Sequence, residues 1–186
     1  MSIKKVLVFG ASNSKHSINK QFAVSVASGL ENVELHIADL NDYELPIYSV
    51  DLQKEIGIHE SAHRFYGLIK QSDAFVISLA EYNGLHTTAF KNLWDWMSRL
   101  PLDKPMQIWG GKPMFLLSTS PGKKAISNVL RVSKELFPYF GAKIIADFHL
   151  QSFNHFFKDG KIIDEEQLAA FEIQNNKFQT HIDNLN

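Results

Sequence analysis

The stretch VLVFGASNSKHSIN, residues 6–19, joins four consecutive apolar residues to a glycine and a run of small polar side chains. Because no polar residue alternates within residues 6–9, they predict a strand that is buried on both faces, as in a parallel sheet. From Ile18 to Leu30, apolar residues then recur at spacings of four, which predicts a helix. A buried strand that leads directly into a helix is typical of α/β proteins.

The same alternation continues along the chain. Residues 33–37 predict a second strand with one wetter face, as at the edge of a sheet. Further strands are predicted at 74–77, 114–117 and 143–146, and helices around 60–70, around 126–137 and from about 164 onward. Residues 40–57 read as a long loop, and residues 158–161 suggest a small hairpin. The pattern predicts a doubly wound, five-stranded parallel sheet of flavodoxin-like order 2-1-3-4-5, with helices on both faces.

Length and composition predict one domain over residues 1–186 and exclude several classes of function. The chain has 45% hydrophobic and 21% charged residues, as in an ordinary globular protein. A net charge of -1 gives no bulk attraction for nucleic acid or an anionic membrane, and no apolar stretch is long enough for membrane insertion. The absence of cysteine excludes disulfides and thiolate chemistry, so we expect a cytoplasmic protein.

In the expected strand order, ligands bind in the crevice between the first and third strands. The loop after the first strand, residues 10–19, places Ser12, Ser14, Ser17 and Asn19 at a helix N-terminus, where an anion is favoured. It lacks the Gly-Lys-Ser/Thr ending of a triphosphate loop and the GxGxxG of a dinucleotide fingerprint, so a monophosphate fits best. An ordinary Ser/Asn-rich turn with Ser17 as N-cap is the alternative.

The loop after the third strand contains Glu81-Tyr82-Asn83-Gly84, where Gly84 would let the backbone approach a flat ligand closely. Followed by Lys91-Asn92 and Asp95-Trp96, it resembles the Pro-Glu-Tyr-Asn…Leu-Lys-Asn-Ala-x-Asp-Trp signature of the NADPH-dependent FMN reductases, which include quinone, chromate and azo dye reductases. The resemblance covers roughly residues 4–150 and extends to the first loop and to three further segments. These are Asp39-Leu40 with Leu45-Pro46-Ile47-Tyr48, Gly111-Lys112-Pro113, and residues 118–122.

The chain departs from the family pattern in three places. Ala80 stands in place of proline, Leu85-His86-Thr87-Thr88 replaces Ser-x-Pro-Gly, and Ser14 replaces an arginine that is common in the first loop. These departures weaken the prediction of the substrate more than the prediction of the fold.

The resemblance implies FMN as cofactor and NADPH or NADH as electron donor. It implies that the first loop holds the FMN phosphate, that the 81–84 backbone meets the isoalloxazine ring, and that residues 118–122 line the ring's other edge. A helix opening at Lys123-Lys124 would add positive potential near a reduced flavin. The implied cofactor-binding residues are Ser12, Ser14, Ser17, Ile18, Asn19, Glu81, Tyr82, Asn83, Gly84, Ser118, Ser120 and Gly122.

The segment His59-Glu60-Ser61-Ala62-His63 matches HExxH, with Glu81 as a conceivable third zinc ligand. The flanks expected of a zinc protease are missing, and the match begins near a predicted helix start. We therefore interpret it as a solvated helix start and predict no metal site.

Apolar residues from Phe90 to Leu100 recur at helical spacing and form a broad aromatic arc. Core packing is the first interpretation. The family resemblance also implies that the outer part of this arc joins a homodimer, or a dimer of dimers.

These observations predict an NAD(P)H-dependent oxidoreductase that passes two electrons through FMN to a quinone or similar small-molecule acceptor. The flavin carries the chemistry, so no catalytic side chain is required. The alternative is a flavodoxin-like electron carrier without NAD(P)H turnover, although such carriers are typically strongly acidic and this chain is nearly neutral. A protein whose flavin site has decayed is a third possibility. The sequence leaves open whether Lys15 or His16 meets a 2'-phosphate and whether Tyr82 or His86 touches substrate.

Overall fold

A parallel sheet forms the centre of the structure, a computed structural model that describes residues 3–102, 104–123 and 126–185. In chain order the strands are β1 (Lys4–Gly10), β2 (Val33–Ile37), β3 (Ala74–Leu79), β4 (Glu81–Tyr82), β5 (Leu85–His86), β6 (Pro113–Thr119), β7 (Lys143–Leu150), β8 (Phe157–Lys158) and β9 (Lys161–Ile162). The main sheet has the order β2-β1-β3-β6-β7, with all neighbours parallel. Counted among the sheet's own strands, this is 2-1-3-4-5, so the predicted fold class is confirmed.

Helices cover both faces of this sheet, as predicted. Leu7 and Phe9 of β1 face one apolar cluster, and Val6 and Val8 face the other. The first cluster includes residues of helices α3 (Glu60–Gln71), α4 (Thr88–Met97) and α5 (Asn128–Leu136), and the second includes residues of α1 (Ile18–Ser28) and α7 (Glu165–Asp183). In the described ranges, no helix is both long and apolar enough to span a bilayer. The helices are α1 (Ile18–Ser28), α2 (Val50–Ile56), α3 (Glu60–Gln71), α4 (Thr88–Met97), α5 (Asn128–Leu136), α6 (Phe153–Phe156) and α7 (Glu165–Asp183), with 3-10 turns at Leu40–Tyr43 and Phe137–Phe140.

Two expectations about local structure are wrong. Residues 40–57 are not one long loop, since they contain the first 3-10 turn and α2. None of the residues of α2 is buried, so the helix has no apolar periodicity that the sequence could reveal. Helix α5 does not open at Lys123-Lys124 but at Asn128, with Ser127 as its N-cap. Lys124 lies outside the described residues.

The C-terminal part of the chain follows the sequence pattern closely. Strands β8 and β9 form the expected hairpin. Asp164 caps α7 by accepting a hydrogen bond from the Gln167 backbone N–H at 2.9 Å, and Phe178 and Ile182 of this helix are buried. Strand β7 is longer than predicted and ends at Leu150.

Polar side chains satisfy backbone groups at two places, the C-terminus of α3 and the outer edge of β7. The Lys112 ammonium donates to the Ile69 and Lys70 carbonyls at 2.7 and 2.9 Å, so this residue of the family motif caps the C-terminus of α3. Burial lowers the pKa of Lys112. On the outer edge of β7, the Gln174 side chain accepts from the Asp147 N–H at 3.4 Å, and Lys134 pairs with the Asp147 carboxylate at 2.9 Å.

Candidate functional site

A cavity of about 390 Å³, called here the first cavity, opens at the carboxyl ends of β1, β3 and β6. This is the crevice that the strand order predicts. Asn83, Gly84 and Gly122 were also predicted as cofactor residues, and they do not line it. The predicted residues that do line the first cavity are Ser12, Ser14, Ser17, Ile18, Asn19, Glu81, Tyr82, Ser118 and Ser120.

The loop after β1 presents the N-terminus of α1 to this cavity. Ser17 is the N-cap, accepting from the Lys20 N–H at 3.2 Å, so the structural interpretation of this serine is confirmed. It also lines the cavity, together with Ile18 and Asn19 of the first turn. Backbone N–H groups in a first helical turn have no acceptor within the helix, which makes them available to an anion.

A glycine lets β1 and α1 approach each other this closely. A Cβ atom at Gly10 would lie 2.6 Å from the Lys20 Cα and 2.9 Å from the Asn19 carbonyl carbon. Real Cβ atoms do not tolerate backbone contacts this short, so any other residue would move the helix start away from the strand. Gly10 therefore sets where the N-terminus of α1 lies.

The side chain of Asn19 serves the scaffold. Its Oδ1 accepts from the Ser78 hydroxyl at 2.7 Å and from the Thr119 N–H at 3.0 Å, and its amide donates to the Thr119 carbonyl at 3.3 Å. All of these groups are buried. Asn19 thus joins the ends of β3 and β6 to α1, and the group it offers a ligand is its backbone N–H.

The loop after β3 is a tight hairpin, β4–β5. Asn83 and Gly84 have φ values of 52° and 86°, the positive values that a two-residue primed turn requires. Asn-Gly is a strong hairpin signal, and the sequence interpretation missed it. Gly84 is therefore needed by the turn itself, and its predicted approach to a flat ligand stays a prediction.

Glu81 fastens this hairpin to α5. Its carboxylate accepts from the Val129 N–H at 3.1 Å and from the Ser127 hydroxyl at 3.3 Å. The negative charge therefore lies at the positive end of the α5 dipole. The helix start that was expected at Lys123-Lys124 lies instead at Asn128, where Ser127 is the N-cap and the Glu81 carboxylate accepts from the Val129 N–H.

The loop after β6 completes the cavity wall. Ser118 is 1% exposed, and its hydroxyl lies 2.9 Å from that of Ser127. The Ser120 hydroxyl donates to the Gly122 carbonyl at 2.9 Å. Ser127 and His149 also line the cavity, and sequence reasoning missed both. If the last sheet strand had been predicted to extend to residue 150, His149 would have been placed at this edge of the sheet.

Tyr82 and His86 have different environments. Tyr82 is 47% exposed, lines the first cavity, and has its hydroxyl 3.2 Å from that of Ser14. His86 stacks on Phe137 with a centroid distance of 5.8 Å, and its Nε2 lies 2.8 Å from the Ser133 hydroxyl. Burial, with a smaller contribution from Lys91, lowers the pKa of His86 to about 4. At neutral pH His86 is an uncharged packing residue.

A second cavity of about 580 Å³ adjoins the first and shares Tyr82 with it. It lies between residues 40–47 and the outward face of the first two turns of α4. Its lining residues are Asn13, Leu40, Asn41, Tyr43, Glu44, Leu45, Pro46, Ile47, Tyr82, Thr88, Ala89, Asn92 and Leu93.

Two residues of the family motif hold the wall of the second cavity. Asn92 accepts from the Tyr48 N–H at 2.8 Å and donates to the Pro46 carbonyl at 2.9 Å. The Trp96 indole N–H donates to the same carbonyl at 2.8 Å. The presence of Asn92 and Trp96 in the motif therefore has a structural cause: both side chains fix the 45–48 segment against α4.

The large apolar side chains of α4 belong to the core, as expected. Phe90, Leu93, Trp94 and Met97 are buried in the first apolar cluster, and Leu100 follows them there. The expected dimer contact on the outer part of this helix is a separate question, and it stays a prediction.

The HExxH segment lies at the start of α3. His59 is the N-cap of this helix, accepting from the Ser61 N–H at 3.2 Å, and its ring lies 6.3 Å from that of Trp96. Among the residues that the structure describes, no three His, Asp or Glu side chains are grouped closely enough to hold a metal. The segment acts as a helix start.

The architecture is that of flavodoxin-like oxidoreductases. FerB from Paracoccus denitrificans, a flavoenzyme NAD(P)H:(acceptor) oxidoreductase, superposes with a TM-score of 0.72 at 25% identity, over 97% of this chain and 98% of that one. The family model of the NADPH-dependent FMN reductases matches residues 4–155. The chain therefore belongs to this family of oxidoreductases, as the resemblance of its motifs predicted.

Curated relatives are similar over shorter segments. A quinone reductase of Escherichia coli K12 is 37% identical over 79 residues, which is 42% of this chain and 40% of that protein. A 2-hydroxy-1,4-benzoquinone reductase of a Burkholderia species is 34% identical over 123 residues, 66% of this chain and 63% of that protein. The matched segments thus span less than two thirds of either relative.

The residues at the first cavity fit FMN, the cofactor of this family. Its volume of about 390 Å³ lies within the roughly 300–1,000 Å³ of small-molecule sites. The N-terminus of α1 and the small hydroxyl side chains of Ser12, Ser14 and Ser17 suit a phosphate. The hairpin and the loop after β6 form the remaining walls.

Proposed function

We propose that this protein binds FMN in the first cavity and catalyses the NAD(P)H-dependent two-electron reduction of quinones or similar small acceptors. The observation that carries the proposal is the convergence of three separate loops, after β1, β3 and β6, on one cavity that opens beside a helix N-terminus. The relatives named quinone reductase support the class of acceptor.

The phosphate end of the proposed site is built from the loop after β1. The N–H groups of Ile18 and Asn19 and the hydroxyl of Ser17 would receive the phosphate, with Ser12 and Ser14 beside them. The Ser12 hydroxyl accepts from the Ser14 N–H at 3.2 Å, which holds the loop in a fixed shape. A fixed shape reduces the ordering cost of binding.

The ring end would lie against the β4–β5 hairpin and the loop after β6. Glu81 keeps the hairpin in place through its contacts with α5, so its carboxylate positions the wall. Tyr82 supplies an aromatic face on one side, and Ser118 and Ser120 supply the other edge. Asn83, Gly84 and Gly122 would act through the shape of their turns.

FMN, when bound, supplies reversible two-electron chemistry, which the protein's own side chains lack. The overall reaction would be NADPH, or NADH, plus a proton and a quinone giving the oxidised nucleotide and a hydroquinone. The chain's residues bind, orient and shield the reacting groups, and no side chain is required as a nucleophile.

The visible spectrum of the purified protein tests this proposal. After incubation with FMN and desalting, we expect flavin absorbance that is retained and that bleaches when NADPH or NADH is added without oxygen. Retention without bleaching by either nucleotide would contradict the reductase and favour the electron carrier. Loss of all flavin on desalting would contradict both functions.

A matched pair of substitutions tests the placement of the phosphate. Ser17→Asp keeps an N-cap acceptor for the Lys20 N–H and adds a negative charge where the phosphate would bind. We expect FMN affinity to fall at least about tenfold, since two like charges would meet in the loop. Ser49→Asp, at the N-cap of α2, makes the same change away from the cavity and should leave affinity unchanged.

We also propose a homodimer, or a dimer of dimers, as the family resemblance implies. Ile47 and Val50 are 79% and 56% exposed and lie beside the segment that packs on α4, which supports an apolar contact there. Sedimentation at micromolar concentration tests this, and a monomer would contradict it.

A further inference from the structure

The second cavity is larger than the first and is not explained by the residues proposed for FMN. Its volume is about 580 Å³, against about 390 Å³ for the first cavity. Tyr82 lines both, so a ligand in the second cavity would contact the same side chain as the flavin. The two spaces are therefore neighbours across one aromatic ring.

The lining of the second cavity suits an uncharged, partly apolar molecule. Leu40 and Leu93 are buried in its floor, and Tyr43 and Leu45 are half-buried beside them. Among the described residues that line it, Glu44 is the only charged side chain. Among these lining side chains, the phosphates of a nicotinamide nucleotide would meet this carboxylate and no cationic group, which disfavours them.

This cavity also has a fixed wall. Asn92 and Trp96 hold the Pro46 carbonyl from two directions, at 2.9 and 2.8 Å. Tyr43 packs edge-on against buried Phe65, with a centroid distance of 5.0 Å. The space is thus formed by side chains and backbone that are already ordered, which favours binding.

We propose that the second cavity is the acceptor's specificity pocket, and that it takes the second ring or alkyl substituent of an uncharged quinone. This inference rests on the proposed function. The reacting ring would stay at the first cavity beside Tyr82, and the part of the molecule that does not react would fill the second. Bicyclic and alkyl-substituted quinones would then be better substrates than unsubstituted benzoquinone.

Ala89→Leu tests the pocket by partly filling it. Ala89 is half-buried in the first turn of α4 and lines the second cavity, and leucine is a good helix former. In the holoenzyme we expect KM for menadione to rise about tenfold and KM for benzoquinone to change less than about twofold, a range typical of a crowded hydrophobic pocket. Flavin bleaching by NADPH should be unchanged.

A control and a direct binding measurement accompany this variant. Ala170→Leu makes the same change on α7, where Ala170 lines a different cavity, and should leave both KM values unchanged. Calorimetry of menadione with the oxidised holoenzyme, without a nucleotide donor, measures binding with no turnover. Ala89→Leu should weaken this binding by the same factor of about ten.

Glu44→Lys tests the charge argument without changing the size of the pocket greatly. The wild-type enzyme should prefer menadione to a naphthoquinone sulfonate, and the lysine variant should reduce that preference at least about fivefold, since attraction replaces repulsion. Glu44 is exposed, so the substitution should not affect folding.

The results separate this inference from the proposed function. If flavin binds and bleaches but Ala89→Leu leaves KM for menadione unchanged, the pocket assignment is wrong and the reductase stands. An equal rise for menadione and benzoquinone, or slower bleaching by NADPH, would also contradict the assignment. If flavin does not bind or bleach, the proposed function fails and this inference fails with it.

Discussion

The loop after β1 and the hairpin after β3 line the same cavity but are held in place by different means. Backbone proximity and a buried amide fix the first loop: Gly10 lies against the start of α1, and Asn19 joins three chain segments. Side chains that reach another helix fix the hairpin, through Glu81 to Val129 and through His86 to Ser133.

Because of this difference, we expect the first loop to be sensitive to changes of shape and the hairpin to be sensitive to changes of charge. The first loop has no space for a side chain at Gly10 and no titrating group in the buried network of Asn19, so it should tolerate changes of pH but not changes of shape at these positions. The hairpin depends on a carboxylate and an imidazole, so its attachment should depend on charge. Substitutions in the two regions can confirm or contradict this contrast.

The largest effect is expected for Asn19→Ala. It removes three hydrogen bonds and leaves the Ser78 hydroxyl and the Thr119 N–H buried without their acceptor. The free energy of unfolding should fall by about 4 kcal/mol, measured by urea denaturation at constant pH. Asn13→Ala, at an exposed position in the same loop, should change it by less than about 0.5 kcal/mol. Equal effects of the two variants would contradict the scaffold role of Asn19.

Gly10→Ala should have the next largest effect. The new Cβ would lie 2.6 Å from the Lys20 Cα, so β1 and α1 must separate, at a cost of about 3 kcal/mol. FMN affinity should fall as well, because the N-terminus of α1 moves. Gly67→Ala in α3 is the control: a Cβ there has no neighbour within 4 Å, so alanine should stabilise the helix by about 0.5–1 kcal/mol. If both variants were equally destabilised, the effect of Gly10→Ala could not be attributed to the contact between β1 and α1.

His86→Phe tests the hairpin's dependence on pH. Because burial lowers the pKa of His86 to about 4, the unfolded chain binds a proton more readily than the native one below about pH 6.5. Stability from this residue is therefore present above pH 6.5 and is lost as the pH falls towards 4. Between pH 7 and pH 4.5 the wild-type protein should lose about 2 kcal/mol more than His86→Phe.

Denaturant unfolding at several pH values measures this difference. His63→Gln, at an exposed position on α3, is the matched control for the loss of a histidine. A His86→Phe profile parallel to that of the wild-type protein would mean that His86 titrates equally in the folded and unfolded states.

Glu81→Gln should have the smallest effect. The amide keeps the size of the side chain but removes the charge at the N-terminus of α5, with an expected loss of about 1 kcal/mol. Glu135→Gln, in the last turn of the same helix, removes a charge from the opposite end of the dipole together with an exposed ion pair to Arg131, so these small effects should nearly cancel. Thermal unfolding measures the change in stability of each variant. An equal loss of stability in both would contradict the dipole argument.

The fold was readable from the sequence because its main strands are continuous apolar runs and most of its helices have a buried face. Residues 6–9, 74–77 and 114–117 all lie in buried strands. Helix α2 was not readable, since none of its residues is buried. The start of α5 was misplaced because its N-cap, Ser127, looks like any other serine until Glu81 is brought beside it.

The candidate site was predictable where it follows strand ends and family motifs. Ser12, Ser17 and Asn19 were found from their place at the N-terminus of a predicted helix, and all line the cavity. His149 was missed because the last sheet strand was predicted to end at residue 146, and Ser127 was missed because only the tertiary fold brings the start of α5 beside the hairpin. The tie between Asn92 and Pro46 also depends on tertiary structure, so no local pattern shows it.

The protected edge of β7 has a consequence for solubility at high concentration. An open strand edge invites a strand of another molecule, and repeated pairing of this kind leads to fibrous aggregates. Here Gln174 covers the Asp147 N–H, and the Lys134–Asp147 ion pair lies beside it. An incoming strand would have to displace Gln174 from this N–H first, so this part of the edge resists polymerisation of the native protein.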